Sequence, residues 1–127
     1  MIPKFRAWIK EEKCFADYIE TIRYYAKEVD LCWGGICESD CFDFEGVIFT
    51  QSTGLKDKNG KEIFEGDIVD YKGRKAVVKW HGSYTSFIYR FVDEINERVS
   101  EWHPLFLAYY HFEIIGNIYE NKELLDA

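Results

Sequence analysis

Hydrophobic and polar positions alternate at the start of the chain. Phe5, Ala7 and Ile9 interleave with Arg6, Trp8 and Lys10, a period of two that predicts an opening strand. Residues 15–31 fit two patterns at once. Asp17 followed by Glu20 has the form of a capping box, and Tyr18, Ile22, Tyr25 and Val29 recur at helical spacing. The same stretch is dense in Tyr, Ile and Thr, which favour strands. On the residues alone, helix and strand stand level there.

Punctuation is clearer from Val47 onward. Val47-Ile48-Phe49 is a short apolar run that meets the turn-prone Ser52-Thr53-Gly54. Asn59-Gly60 predicts a two-residue type I′ hairpin with positive φ at both residues. Gly66 to Tyr71 reads as a strand, Lys72-Gly73-Arg74 as a turn, and Ala76 to Trp80 as the returning strand. Tyr84 to Val92 completes this meander. Val92, Ile95, Val99 and Trp102 fit one face of a short helix with Asp93 as its N-cap. Leu105 to Tyr110 is a short apolar run, and Phe112 to Tyr119 reads as a closing strand in which Gly116 marks a bulge or a close approach.

These elements predict one mainly β domain with minor α over residues 1–127. Its core is a small SH3-like barrel or a strongly bent antiparallel sheet built from 63–119. Residues 1–50 form an irregular N-terminal section beside the β core of 51–127.

Composition narrows the classes. The chain has 127 residues, 47% of them hydrophobic, with ten Phe, nine Tyr and four Trp, which is ample for a folded core. So many aromatics predict a surplus at a surface and hence a subunit contact. Net charge is −7, which argues against non-specific binding to phosphate backbones. The charge is uneven: residues 51–80 carry seven Lys/Arg against five Asp/Glu. No apolar run is long enough to cross a membrane. No apolar stretch follows the N-terminal residues, so the expectation is a cytoplasmic protein with reduced thiols.

Three segments carry a family resemblance: Lys4-Phe5-Arg6-Ala7-Trp8, the stretch TGLKDKNGKEIFEGDIV from Thr53 to Val69, and EIIGNIYENKELL from Glu113 to Leu125. They resemble the YopX-like family, which is encoded mainly by bacteriophages and integrated prophages. Lys122 stands where that family often has proline. The resemblance implies a mostly β fold, which tips 15–31 toward extended structure. It also implies a protein that assembles with copies of itself, in the cytoplasm of a bacterial host. It supplies no enzymatic activity and no catalytic residue.

Each catalytic template fails on a named feature. Cys14, Cys32, Cys37 and Cys41 offer four thiols, but three crowd into ten residues where zinc sites use separated pairs, so structural thiols are preferred. His81, His103 and His111 lack metal spacing, and no nucleophile elbow occurs. The loop Gly54 to Glu62 has its glycines one residue too far apart for a phosphate cradle, and Glu62 replaces the hydroxyl that would hold magnesium. Glu65 and Asp67 flank Gly66 and could act as paired carboxylates, though such residues more often anchor a strand entry. Neither a cofactor nor a metal is implied, and no catalytic residue is designated.

Two surfaces remain as candidates. Lys56, Lys58, Lys61, Arg74, Lys75 and Lys79, with Tyr71 and Trp80, form a candidate face for single-stranded nucleic acid. The interleaved Asp57, Glu62, Asp67 and Asp70 dilute its field, so nucleic acid is not the favoured partner. Tyr84, Phe87, Tyr89, Phe91, Phe106, Tyr109, Tyr110 and Phe112 are candidates for self-association. The leading expectation is a non-enzymatic accessory protein acting as a self-assembling interaction module. The alternative is a single-strand nucleic-acid binder, and an enzyme comes third.

Overall fold

The N-terminal alternation becomes strand β1 (Phe5–Ile9), with Ala7 and Ile9 buried. The computed structural model describes residues 4–35, 38–94 and 103–126, and the chain divides into two compact units, Met1–Gln51 and Ser52–Ala127. The fold is mainly β, built from antiparallel sheets.

In the first unit β1 pairs with β2 (Cys14–Phe15) on one side. On the other it pairs with the start of β6 (Val47–Lys56), Ala7 facing Phe49 and Ile9 facing Val47. A second sheet runs β3 (Tyr18–Arg23), β4 (Glu28–Cys32), β5 (Ser39–Asp43). Val29 and Leu31 of this sheet pack against Ala7, Ile9 and Val47 of the other, with Ile22, Phe42, Phe44 and Phe49 around them. The ambiguous stretch 15–31 is therefore strand. Its helical stripe does not exist, because Tyr18 and Tyr25 are 52% and 89% exposed while Val29 is buried. Val29 and Leu31 of β4 follow period two, and in β3 the core-packed Ile19 and Ile22 are three apart because a bulge shifts the register between Ile19 and Thr21. The N-terminal section thus holds more regular strand than its uneven pattern suggests.

In the second unit, Ser52-Thr53-Gly54 is not a chain reversal. It lies inside β6, where the register to β7 (Glu62–Phe64) shifts between Ser52 and Lys56 and Gly54 has φ +77°. The Thr53 hydroxyl donates to the Ile63 carbonyl and accepts the Leu55 N–H, so a bulge rather than a turn absorbs these residues. A five-stranded sheet follows in the order β11-β10-β9-β8-β12. Its members are β8 (Asp67–Tyr71), β9 (Arg74–His81), β10 (Ser86–Phe91), β11 (His103–Pro104) and β12 (Glu113–Asn117).

Alternation gives this sheet two buried faces. Val69, Ala76, Val78, Tyr89 and Phe91 join Ile63, Leu105, Ala108 and Phe112 on one. Ile68 and Val77 join Val92, Ile118, Leu124 and Leu125 on the other. The C-terminal motif therefore does more than close the sheet. Asn117 Oδ1 accepts the Tyr119 and Glu120 N–H groups, and Asn121 Oδ1 accepts the Asn117 N–H. That turn carries the chain into the 3₁₀ segment Lys122–Leu125, which packs two half-buried leucines against this core. Gly116 sits at the expected bulge, and a Cβ there would come 2.6 Å from Asn121 Oδ1.

The turn chemistry differs from expectation at one place. Gly60 has φ +81°, but Asn59 is not in the positive-φ region, so Asn59-Gly60 is not a type I′ hairpin. The Gly60 N–H donates to the Asp57 carbonyl and the Asp57 N–H to the Lys61 carbonyl. This is a three-residue loop of a type I turn followed by a left-handed glycine. The type I′ pattern falls instead at Lys72-Gly73, with φ +52° and +85°, between the paired Tyr71 and Arg74. Of the expected helix after Val92, the described residues contain the 3₁₀ turn Val92–Glu94. Ile95, Val99 and Trp102 lie outside them.

Candidate functional site

The turn at 57–61 is organised by one buried carboxylate. Asp57 Oδ1 accepts the Asn59 and Lys61 N–H groups at 3.0 and 2.8 Å, and Oδ2 accepts the Ile114 N–H at 3.0 Å. Asp67 plays a similar part at the entry to β8, where Oδ2 accepts the Phe64 N–H at 2.8 Å and the residue is buried. Of the two carboxylates flanking Gly66, Asp67 thus anchors backbone.

The candidate basic residues do not share one face. Lys56, Lys58 and Lys61 surround the 57–61 turn, with Lys58 Nζ 3.7 Å from Glu113. Strand alternation sends Arg74 and Trp80 to one side of β9 and Lys75 and Lys79 to the other. Arg74 is fully engaged: its guanidinium lies 3.6 Å above the Phe91 ring and contacts Asp93 and Glu94 at 2.9 and 3.0 Å. Those carboxylates raise its pKa further above the ordinary arginine value. Lys75 faces Asp70 across the strands, and its Nζ donates to the Asp126 carbonyl. Tyr71 is half-buried among Tyr89, Phe91, His111 and Phe112 and is not a free stacking platform. Trp80 is 44% exposed, edge-on to Phe87.

The self-association candidates separate by burial. Tyr89, Phe91 and Phe112 belong to the core, so they are removed from any surface. Burial also pushes the Tyr89 hydroxyl pKa up. Phe87 and Tyr109 are half-buried and pack against that core. Tyr84, Phe106 and Tyr110 remain exposed, and Leu107, which the sequence did not single out, is 61% exposed beside Phe106. Phe106, Leu107 and Tyr110 lie on two consecutive 3₁₀ turns, Leu105–Leu107 and Tyr109–His111. Leu105 and Ala108 of the same segment point into the core, which fixes the exposed three outward.

Two further clusters were missed. On the outer face of β3-β4-β5, Arg23 makes a forked pair with Asp30, both distances 2.7 Å, and reaches Glu28 at 3.4 Å. The Cys41 thiol donates to Glu28 at 3.2 Å and lies 3.5 Å from Arg23. Arg23 holds the Asp30 carboxyl below its usual range, and Glu28 pushes the Cys41 thiol up. A raised thiol pKa is the opposite of what a catalytic cysteine needs. The strand register, with Arg23 opposite Glu28 and Asp30 opposite Cys41, creates this cluster. It was hidden while 15–31 had no assigned period. The second cluster is an apolar hollow lined by Phe5, Ile22, Tyr24, Phe44 and Phe49.

Cys14 sits in β2 and Cys32 is buried in β4, while Cys37 lies outside the described residues. Among the described residues no group of three or more His, Cys, Asp or Glu side chains is placed to hold a metal ion. No helix among them is long and apolar enough to cross a membrane.

Comparison with known proteins gives a consistent picture. The family model described as "YopX protein" matches residues 4–126. Among solved structures, the chain is similar to protein EF1440 from Enterococcus faecalis. The two are 29% identical, the match covers 99% of each chain, and the TM-score is 0.62. No curated protein matches.

Proposed function

The chain belongs to the YopX protein family, and on that footing we propose that it is a phage- or prophage-encoded accessory protein that works as a self-assembling interaction module without enzymatic activity. The observation that carries this reading is the triplet Phe106, Leu107 and Tyr110, exposed at 58%, 61% and 55% within five residues of chain. Leu105 and Ala108 hold that segment rigidly from beneath, so the apolar group is preformed. Preformed exposed apolar groups of this size mark contact sites. The partner is a second copy of the chain, in the cytoplasm of the bacterial host. The nucleic-acid reading has less support, because Arg74 and Lys58 already face carboxylates, Lys56 and Lys61 lie at the 57–61 turn, and Lys75 and Lys79 lie on the side of β9 opposite Trp80.

Light scattering coupled to gel filtration at tens of micromolar tests the proposal. The expected result is a mass of at least two chains, falling to one in the triple variant Phe106→Ser, Leu107→Ser, Tyr110→Ser. A single-chain mass for the unaltered protein overturns it. A salt-sensitive shift of labelled oligonucleotides would favour the nucleic-acid reading.

A further inference from the structure

The hollow of the first unit has a volume of about 210 Å³ and is lined from both layers, by Phe5 and Phe49 on one side and Ile22, Tyr24 and Phe44 on the other. Its wall is aromatic ring and hydrocarbon with almost no polar surface. That composition sets the first condition on an occupant. A primary amine, a carboxylate or a hydroxyl-rich group would lose its hydration there without finding a hydrogen-bond partner. The volume is below that of drug-sized sites, so the occupant is a compact head of a few heavy atoms that needs no hydrogen bonds.

Ring geometry sets the second condition. Tyr24 and Phe49 each stand nearly at right angles to Phe44, at 78° and 83°, with centroids 6.3 and 5.6 Å away. Rings so arranged form adjoining walls, and the face of each ring carries partial negative charge. Charge around the hollow sets the third. Residues 1–51 hold ten Asp/Glu against six Lys/Arg, and the exposed Asp43 and Glu45 flank Phe44. The two arginines next to lining residues are turned elsewhere, while Lys4 precedes Phe5 and Lys10 Nζ donates to the Glu45 carbonyl at 2.7 Å. Arg6 lies 4.6 Å over the Phe15 ring on the other face of β1, and Arg23 is held by Asp30 and Glu28.

We propose that this hollow binds a quaternary ammonium group, the headgroup of a small choline-type cation. Such a cation has no N–H to satisfy, suits ring faces, and is favoured by the net negative charge of residues 1–51.

An NMR-monitored titration of the full chain with choline chloride tests this, set against the neutral isostere in which carbon replaces the quaternary nitrogen. Shifts are expected at Phe5, Ile22, Tyr24, Phe44 and Phe49, with choline binding tighter than the isostere by about fivefold. Tyr24 is 73% exposed, so Tyr24→Leu keeps the fold. It should weaken choline by about fivefold while leaving the isostere within about twofold. Isostere binding equal to or tighter than choline overturns the proposal. So does the absence of shifts at these residues at about 50 mM choline, far above any useful affinity.

Discussion

The Ile114 N–H donates to Asp57 Oδ2 at 3.0 Å across 57 positions of sequence. One carboxylate thereby secures both the turn that follows β6 and the first part of β12, and the Lys58 N–H reinforces the link by donating to the Phe112 carbonyl. Asp57→Ala leaves three N–H groups without their acceptor and should destabilise the protein by about 2–4 kcal/mol. Asp57→Asn, which keeps one acceptor oxygen, should lose less. Urea unfolding measures both, and a loss below about 0.5 kcal/mol in the Ala variant would show that water replaces the carboxylate.

The two glycine turns make opposite demands on their neighbours. Gly60→Val should cost about 1–2 kcal/mol, because the left-handed backbone there disfavours a branched side chain. Asn59→Ala should fall within about 0.5 kcal/mol of the parent, as its φ is not positive. Lys72 occupies the left-handed region without the residue type that favours it. Lys72→Asn should therefore stabilise by about 0.5–1 kcal/mol. A loss of stability in that variant would contradict the type I′ assignment.

The Arg23–Asp30 fork makes stability depend on acid. Hydrogen bonds from Arg23 lower the folded-state pKa of Asp30, so its contribution is present above the ordinary carboxylate range and is lost as pH falls through the folded value. A carbon-detected titration should place the Asp30 midpoint below about 3.9, and Arg23→Gln should return it to that value. A midpoint at or above the ordinary value in the parent would dismiss the pair as a stabilising contact.

Cys41 is exposed yet should react slowly. Its thiol donates to Glu28, which raises the pKa and depletes the thiolate at pH 8. Glu28→Gln removes that effect and leaves Arg23 beside the sulfur, so alkylation of Cys41 should quicken several-fold. Mass spectrometry of the Cys41 peptide reads this directly. An unchanged or slower rate would mean that access, not ionisation, limits the reaction.

Local pattern carried the second unit well and the first unit poorly, for a physical reason. From 66 to 82 the strands β8 and β9 are bounded by Gly66, Gly73 and Gly82, and their apolar sets follow one period. Between 14 and 43 the side chains Tyr18, Tyr24 and Tyr25 are large, apolar and exposed, so they imitate a buried stripe and mask the true alternation. The Asn-Gly turn was misread because Asp57, whose carboxylate selects the loop type, acts through backbone groups that the dipeptide does not reveal. For the candidate surfaces, the sequence singled out Phe106 and Tyr110 but not Leu107, and could not tell them from Tyr89, Phe91 and Phe112. Only cross-strand register distinguishes a ring that faces Ile63 from one that faces water.

The position of β8 has a consequence for how the molecule is made. One edge of β8 pairs with β9 through a two-residue turn, while the other waits for β12, with Asp70 meeting Glu113 and Asp67 meeting Asn117. The β8–β9–β10 meander can form as soon as its own residues, ending at Phe91, exist, but β12 begins only at Glu113, about 22 residues later. In that interval β8 is an open edge of apolar sequence, the condition under which nascent sheets recruit the wrong chain. Asp67 and Asp70 place a carboxylate near each end of Ile68-Val69. Asp67, which anchors the entry to β8 in the finished sheet, thus also helps to guard that strand while the sheet is incomplete.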